Sequence, residues 1–239
     1  MGVEYARHLL PVDAAYRPRA GALACLIERM VREGWLPRNA PTLGRSHRPV
    51  RPTADWLRAA LRKDLSLRWG TLHVVRPWPG EPPRPTVAKH PLAWKYPKDR
   101  AYFDVYIQAS HDFLGACNES FQALATGCSC GAPLDAEDGW DFGRARRILP
   151  RCAECGTPLD PKRYIATDYG FITGEKKRTV GIGIFRFGLI VDCGKCWPRE
   201  LCTPGQAAAF DEAVSIRPEL VRLVEDELET AFYQLGTGG

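Results

Sequence analysis

The chain has 239 residues, of which 45% are hydrophobic, a proportion typical of globular proteins with a buried core. It has no apolar run of about eighteen residues and no apolar segment behind a basic start, so neither a membrane span nor a secretory signal is predicted. The net charge of +5 is uneven, because residues 1–127 carry 19 Lys and Arg against 11 Asp and Glu, whereas acids predominate after them. We therefore expect a cytoplasmic protein without membrane association, whose basic first half is compatible with a polyanionic partner.

Residues 1–99 are predicted to form a basic, Pro- and Arg-rich N-terminal region with two helices. Apolar residues at helical spacing predict the first helix over residues 19–33, with Gly34 at its C-terminal cap. Cys25 lies within this helix, and we expect it to be a buried core thiol. The connector over residues 36–53 is either a solvated surface loop or a basic arm, and its arginines are Arg38, Arg45, Arg48 and Arg51.

The second helix of this region is predicted to begin at Thr53. The Thr53 side chain can cap it, and its apolar face extends to about Leu65. A strand is predicted over residues 69–76. Six prolines between residues 77 and 91 exclude regular structure in that stretch.

Residues 100–239 are predicted to form an α/β core that carries the cysteine motifs. Alternating apolar and polar side chains predict a strand over residues 102–108. Ser110 follows at a position that suits a helix cap. Apolar residues at helical spacing predict a helix from Ser110 to Gly127, directly before the first cysteines.

Two near-copies of one motif follow, Cys128-Ser-Cys130-Gly-Ala-Pro-Leu-Asp and Cys152-Ala-Glu-Cys155-Gly-Thr-Pro-Leu-Asp. Each has a close cysteine pair, then glycine, one variable residue and Pro-Leu-Asp. Thiolates are soft ligands that suit tetrahedral zinc, and four of them complete a structural site. We therefore predict that Cys128, Cys130, Cys152 and Cys155 bind one zinc ion. An iron–sulfur cluster, disulfides and inert thiols are the alternatives.

The two motifs resemble the knuckles of the zinc-ribbon class, which carry C-x-x-C-G. The first motif departs from that pattern, because one residue separates its cysteines where two are usual. The resemblance covers residues 128–160 and implies a zinc-ribbon insertion over residues 127–163. Zinc ribbons serve many functions, so the resemblance implies a metal site and not a specific activity.

Two strands and two helices are predicted after the cysteine motifs. Residues 164–172 and 179–191 are predicted to form a hairpin, whose second strand is apolar on both faces and therefore central in a sheet. Thr203 is predicted to open one helix, and Pro218 to start a last helix that reaches Leu235. Strands that lead into helices favour an α+β or α/β fold, with a mixed sheet packed by helices and the four-cysteine ribbon inserted.

A third group of cysteines, Cys193, Cys196 and Cys202, allows several interpretations. The three thiols could form a second metal site, or Cys193 and Cys196 could pair with one of the two motifs, or all three could be structural thiols. A second metal site would need one more ligand. The candidates for it are Cys117, Cys25 and His111.

Redox chemistry is a further interpretation of the third group. A strand followed by Cys193-Gly-Lys-Cys196 resembles the active-site turn of thioredoxin, in which a helix N-terminus lowers the pKa of the first cysteine. Pro198 disfavours a helix at that position, and two predicted helices, where thioredoxin has more strands, finish the chain.

The sequence contains no Walker loop, no Gly-x-Ser-x-Gly and no His-Glu-x-x-His. A four-thiolate zinc site has no open position for water. We therefore predict a non-enzymatic zinc protein that acts as a protein-interaction or assembly module, presenting Trp140, Arg144, Arg146 and Arg147 to a partner. Nucleic-acid binding through the arginines of 38–51 and 144–151 is the alternative, and thiol oxidation or reduction through Cys193 and Cys196 is a third possibility.

Overall fold

The computed structural model describes residues 5–44, 48–74, 87–92, 100–116, 128–132, 134, 145–161, 183–194 and 215–238. These segments contain seven strands and three helices. In chain order the elements are β1 (Tyr5–Pro11), α1 (Ala20–Arg32), β2 (Thr42–Leu43), α2 (Ala54–Ala60), β3 (Leu65–Val74), β4 (Arg100–Ala116), β5 (Ala145–Ile148), β6 (Gly183–Gly194), α3 (Pro218–Leu228) and β7 (Phe232–Gly238).

The strands form one sheet in the order β2-β3-β4-β6-β1-β7, and β5 pairs with β4 outside this path. Every described pair is antiparallel, which decides between the two predicted fold classes in favour of α+β. Strand β6 lies between β4 and β1, and from Gly183 to Val191 its residues are buried except for Arg186. The predicted central strand is therefore confirmed, although its first residues, 179–182, lie outside the described part of the chain.

The helices bury their apolar faces on the main core. In α1 the buried side chains include Leu23, Ile27 and Met30, which recur at helical spacing. In α3 they include Leu220 and Val224. All five belong to one cluster with the inward residues of β3, β4 and β6, and each such buried side chain contributes roughly 1.5–3 kcal/mol of transfer free energy.

Helix α1 confirms the predicted bounds and cap, but not the predicted environment of its cysteine. Gly34 follows the helix with a φ of 82°, a conformation that glycine adopts without a Cβ penalty. Cys25 is exposed, so its prediction as a core thiol is wrong. Two residues of helix separate Cys25 from buried Leu23 by about 200°, which turns the two side chains to opposite sides.

The structure corrects the predicted helix after Ser110. Residues 110–116 continue β4, because Leu114 pairs with Phe185 of β6 and Phe113 pairs with Ile148 of β5. The Ser110 hydroxyl donates to Asp64 Oδ1 at 2.7 Å instead of capping a helix. Partners distant in sequence thus decided the local structure, and residues 117–127 of that prediction lie outside the described segments.

The last predicted helix is correct only in its first half. It begins at Pro218 as predicted, but ends at Leu228, and Glu229 follows with a φ of 51° in the left-handed region. From Phe232 the chain forms β7, which pairs along the full length of β1. The predicted elements did not include β1, so a C-terminal strand had no predicted partner.

The remaining predictions are confirmed in part or lie outside the described residues. Thr53 caps α2 through its side chain, which accepts from the Trp56 backbone N–H at 3.3 Å, but the helix ends at Ala60 because β3 begins at Leu65. The predicted strand 164–172 and most of the helix opened by Thr203 lie outside the described segments, as do residues 75–86.

The sheet draws on both predicted regions of the chain. Strands β1, β2 and β3 come from residues 1–99, whereas β4 to β7 come from residues 100–239, and their inward residues share the main core. Residues on both sides of position 99 therefore contribute to one core among the described residues. Within those residues, no helix combines the length and apolar composition needed to cross a bilayer.

Candidate metal centre

The structure brings the sulfur atoms of Cys128, Cys130, Cys152 and Cys155 within 4.8 Å of one another. The closest approaches cross between the two motifs: Cys128 Sγ lies 3.5 Å from Cys155 Sγ, and Cys130 Sγ lies 3.6 Å from Cys152 Sγ. A tetrahedron with metal–sulfur distances of about 2.3 Å has edges of about 3.8 Å. The spacing thus fits one metal ion among four thiolates, and the four cysteines are free rather than joined as disulfides.

The second motif forms a hydrogen-bonded turn that places both of its sulfurs in the four-cysteine cluster. The Gly156 backbone N–H donates to the Cys152 carbonyl at 3.0 Å, and the Cys152 N–H donates to the Thr157 carbonyl at 2.9 Å. Gly156 has a φ of 69°, in the left-handed region. Glycine after the second cysteine therefore permits the reversal that closes the turn.

The first motif forms the same closed turn with one residue fewer. The Gly131 N–H donates to the Cys128 carbonyl at 2.8 Å, and the Cys128 N–H donates to the Ala132 carbonyl at 2.7 Å. Gly131 also has a positive φ, of 89°. In both motifs the closing bond thus reaches the residue directly after the glycine. The one-residue deletion between Cys128 and Cys130 leaves this bond and the sulfur positions compatible with a shared metal.

The leucines of the repeated Pro-Leu-Asp hold the turns on a small apolar cluster. Leu134 is 2% exposed and packs with Ile148 of β5, Ile184 of β6 and the buried Cys152. Leu159 is partly buried against the same cluster. Backbone bonds support this packing, because the Leu149 N–H donates to the Leu134 carbonyl and the Leu159 N–H donates to the Pro150 carbonyl.

This cluster connects the cysteine turns to the main sheet. Phe113 of β4 packs against it, and Ile184 comes from the start of β6. The two residues belong to neighbouring strands at the end of the sheet where β5 is added. The metal centre therefore sits on the edge of the fold and is joined to it by apolar contacts on one side.

Hydrogen bonds within the turns shift the pKa values of cysteine thiols. Thr157 lowers the pKa of Cys155 to about 6, first through its hydroxyl, whose oxygen lies 3.1 Å from the sulfur, and then through its backbone N–H. The backbone N–H of Cys130 lowers the pKa of Cys128. For Cys130 itself, the backbone of Ala132 acts to lower the pKa, but the neighbouring thiols raise it to about 12. The contacts with Thr157 thus favour the ionised form of Cys155, which is the form that binds metal.

The other predicted site residues are less fully described. Cys193 lies in the last part of β6, whereas Cys196 and Cys202 lie outside the described segments. Of the proposed fourth ligands, Cys25 is exposed on α1 and the His111 ring contacts Arg17. Cys117 is outside the described residues.

The structure describes only some of the residues that were predicted to face a partner. Trp140 and Arg144 lie outside the described residues, and Arg146 is placed in β5 only by its backbone pairing. Arg147 forms an ion pair with Asp64 at 2.5 Å, in which 40% of the arginine side chain and 18% of the aspartate side chain are exposed. In the connector, Arg38, Arg48 and Arg51 are exposed, and Arg45 is outside the described segments.

Three residues that contribute to the candidate centre were not predicted from the sequence. Thr157 occupies the variable position of the motif, so no repetition marked it. Phe113 had been assigned to a helix, and Ile184 is distant in the chain. The leucines carried a detectable signal, because the motif repeats Leu134 as Leu159 at the same distance from its glycine.

Together, the four converging sulfurs, the two glycine turns and the apolar cluster define a candidate metal centre. Its chemistry is that of a closed thiolate site with no further side-chain donor in the cluster that the described residues form. No protein-family model, curated protein or solved structure matches this chain.

Proposed function

We propose that the chain is a non-enzymatic zinc-binding protein, in which a four-cysteine zinc site stabilises a module that binds another protein. The supporting observation is the close approach of four thiols from two equivalent turns, at spacings that match the edges of a zinc–thiolate tetrahedron. Soft thiolate ligands alone, in tetrahedral arrangement, favour zinc over hard cations such as magnesium or calcium.

The role of the zinc in this proposal is structural. The apolar cluster beneath the turns contains few side chains, chiefly Leu134, Ile148 and Ile184. Small units with a limited core commonly depend on a metal for their stability. Zinc would join the turn at Cys128 to the turn at Cys152 and so hold both against β5. Because four thiolates fill the coordination sphere, water has no position from which to react.

A cleft beside the metal centre supports the protein-binding part of the proposal. It has a volume of about 240 Å³ and lies between the two turns, with apolar Leu134 and Leu159 in its wall. Exposed Ser129, Thr157 and Asp160 provide the polar part of its lining. An apolar wall with a polar rim is the arrangement that protein interfaces use for an anchoring side chain.

Elemental analysis tests the zinc part. We expect at least one zinc per chain in protein purified without added metal, and removal of that zinc by a chelator should unfold the cysteine turns. Iron in place of zinc, or metal that remains bound after Cys155→Ser and Cys152→Ser are combined, would contradict it.

Partner capture tests the binding part. Zinc-loaded protein and a zinc-loaded Ser129→Arg variant are compared for the proteins that they retain after nuclease treatment. We expect Ser129→Arg to lose a partner that the wild type retains, because the arginine obstructs the cleft. Ala59→Arg, on an exposed position of α2, is the matched control. Equal capture by all three proteins would remove the cleft from the proposal.

Nucleic-acid binding is a second candidate, supported by the exposure of Arg38, Arg48 and Arg51 in the connector. A salt titration distinguishes it, since each phosphate contact steepens the fall of log affinity with log salt concentration. Replacing the three arginines by glutamine should reduce that slope by about one for each lost phosphate contact. If the affinity of the wild type does not change with salt concentration, nucleic-acid binding through these arginines is excluded.

A further inference from the structure

A second group of side chains, remote from the sulfurs, lies where β4 and β6 lose their register. Ala109 pairs with Phe187, and the next pair joins Leu114 to Phe185. Four residues of β4, 110–113, thus oppose a single residue of β6, Arg186. Such bulges change the direction of side chains and recur beside functional sites.

Three arginines meet around this bulge, each from a different part of the chain. Arg17 donates to the Leu61 carbonyl at 2.6 Å and lies 3.1 Å from His111 Nδ1. Arg147 pairs with Asp64. The Arg186 guanidinium lies 4.3 Å from the centre of the Phe113 ring. We call Arg17, Arg147 and Arg186 the arginine group.

Backbone contacts hold the arginine group in place. The Arg186 N–H donates to the Ala14 carbonyl at 3.0 Å, which brings β6 beside the loop that carries Arg17. Asp64 Oδ1 accepts from the Ser110 hydroxyl at 2.7 Å and from the His111 backbone N–H at 3.1 Å. Hydrogen bonds therefore join the bulge, the loop and the chain before β3 into one frame around the guanidinium groups.

Positive charge exceeds negative charge in this frame. Three guanidinium groups lie in this frame with two carboxylates, those of Asp64 and of Asp112 in the bulge. Burial lowers the pKa of Arg17, and the charge of Arg186 lowers it further, while Asp64 acts in the opposite direction. The Nε atoms of Arg17 and Arg186 are buried and have no hydrogen-bond partner among the described residues. The group thus carries surplus positive charge.

We propose that the arginine group is a binding site for a phosphate group. Guanidinium groups donate to phosphate oxygens in charge-assisted hydrogen bonds, and a phosphate would balance the surplus charge of the group. The exposed imidazole of His111 adds a further donor at the same place. This site shares no residue with the cysteine cluster or with the connector arginines, so it does not depend on the proposed function.

The phosphate could belong to a small molecule or to a nucleic-acid strand, and two binding measurements distinguish these sources. Calorimetry with inorganic pyrophosphate measures the small anion alone. Fluorescence anisotropy with a single-stranded oligonucleotide, repeated with pyrophosphate as competitor, measures the strand. Either ligand binding at the arginine group supports the proposal, and failure of the zinc-loaded wild type to bind both would overturn it.

Three substitutions locate the binding. We expect Arg17→Gln and Arg186→Gln each to weaken binding at least about tenfold, because each removes one positive charge and its charge-assisted N–H donors. Arg222→Gln, on an exposed position of α3, should change affinity less than twofold. Equal losses in all three variants, or unchanged affinity in Arg17→Gln, would contradict the site. If Arg186→Gln does not fold, Arg17→Gln decides the question, since Arg17 lies in a loop outside the sheet.

Zinc content and phosphate binding are measured on the same samples. An Arg17→Gln protein with full zinc and weakened phosphate binding supports the site by itself. If the protein as purified contains no zinc but still binds phosphate, the arginine group is supported and the zinc proposal is contradicted, so the two failures are distinguishable.

Discussion

Cys128 and Cys155 come from different motifs, yet their sulfur atoms lie 3.5 Å apart, as near as neighbouring ligands of one metal ion. The companion pair, Cys130 and Cys152, has almost the same separation, 3.6 Å. Each close pair thus joins the first motif to the second. A metal bound by both pairs links two turns that are more than twenty residues apart, so metal binding and local folding should be coupled.

Cys155→Ser should lower the free energy of unfolding by at least about 3 kcal/mol in zinc-loaded protein, because loss of one thiolate removes much of the metal affinity that stabilises the turns. Denaturant unfolding measures the change. The control is Cys25→Ser, the same substitution at an exposed position of α1, which should change stability by less than about 0.5 kcal/mol. Equal effects at the two positions would rule out a metal-linked role for Cys155.

Gly156→Ala should destabilise the protein by about 1–2 kcal/mol, since alanine at a φ of 69° brings its Cβ close to the backbone carbonyl. A clash with neighbouring residues is not the cause of this destabilisation, because a Cβ at Gly156 would meet no atom within 4 Å. Gly21→Ala in α1 has equal space but a helical backbone, so it should stabilise by about 0.5–1 kcal/mol. Thermal unfolding of both variants should show shifts of opposite sign.

Leu134→Ala should cost about 2–5 kcal/mol and weaken metal binding, because it opens a cavity beneath both cysteine turns. Leu43→Ala is the matched control, since Leu43 is 38% exposed. Competition with a chromogenic zinc chelator measures metal affinity, and denaturant unfolding measures stability. Unchanged zinc affinity in Leu134→Ala would show that the apolar cluster does not position the sulfurs.

Glu229→Gly should stabilise the protein by about 0.5–1 kcal/mol. Glu229 ends α3 with a φ of 51°, and glycine adopts this left-handed conformation without steric cost. The same change at Glu219, in the first turn of α3, should destabilise by about 1 kcal/mol because it removes a helix-forming residue and an acid near the helix N-terminus. A destabilised Glu229→Gly variant, measured by thermal unfolding, would indicate that its side-chain contacts outweigh the strain.

The four cysteines of the candidate metal centre were predictable as a set from the sequence because the signal is local. A cysteine pair, a glycine that permits a positive φ and a leucine that packs beneath the turn all lie within seven or eight consecutive residues, and the repetition of the motif marks them as a set. Helix α1 was predictable for the same reason, since Leu23, Ile27 and Met30 define its apolar face without reference to the rest of the fold.

The segments that were predicted wrongly depend on partners that are distant in the sequence. Residues 110–116 have apolar positions that suit either a helix or a strand, and their pairing with β5 and β6 decided the outcome. Strand β7 likewise exists because β1, more than 220 residues earlier, offers a partner along its whole length. Propensity over a short window cannot contain this information, because the deciding hydrogen bonds join distant residues.

The amino-acid sequence by itself determined which thiols can hold a metal and how each turn closes, because those properties depend on residue chemistry and on backbone freedom over a few positions. Only the tertiary structure decided that the two turns meet, that they rest on Phe113 and Ile184, and that Arg17 and Arg186 gather at one bulge. The physical reason is chain separation: these contacts arise from the packing of one sheet, and that packing brings together residues that no local pattern relates.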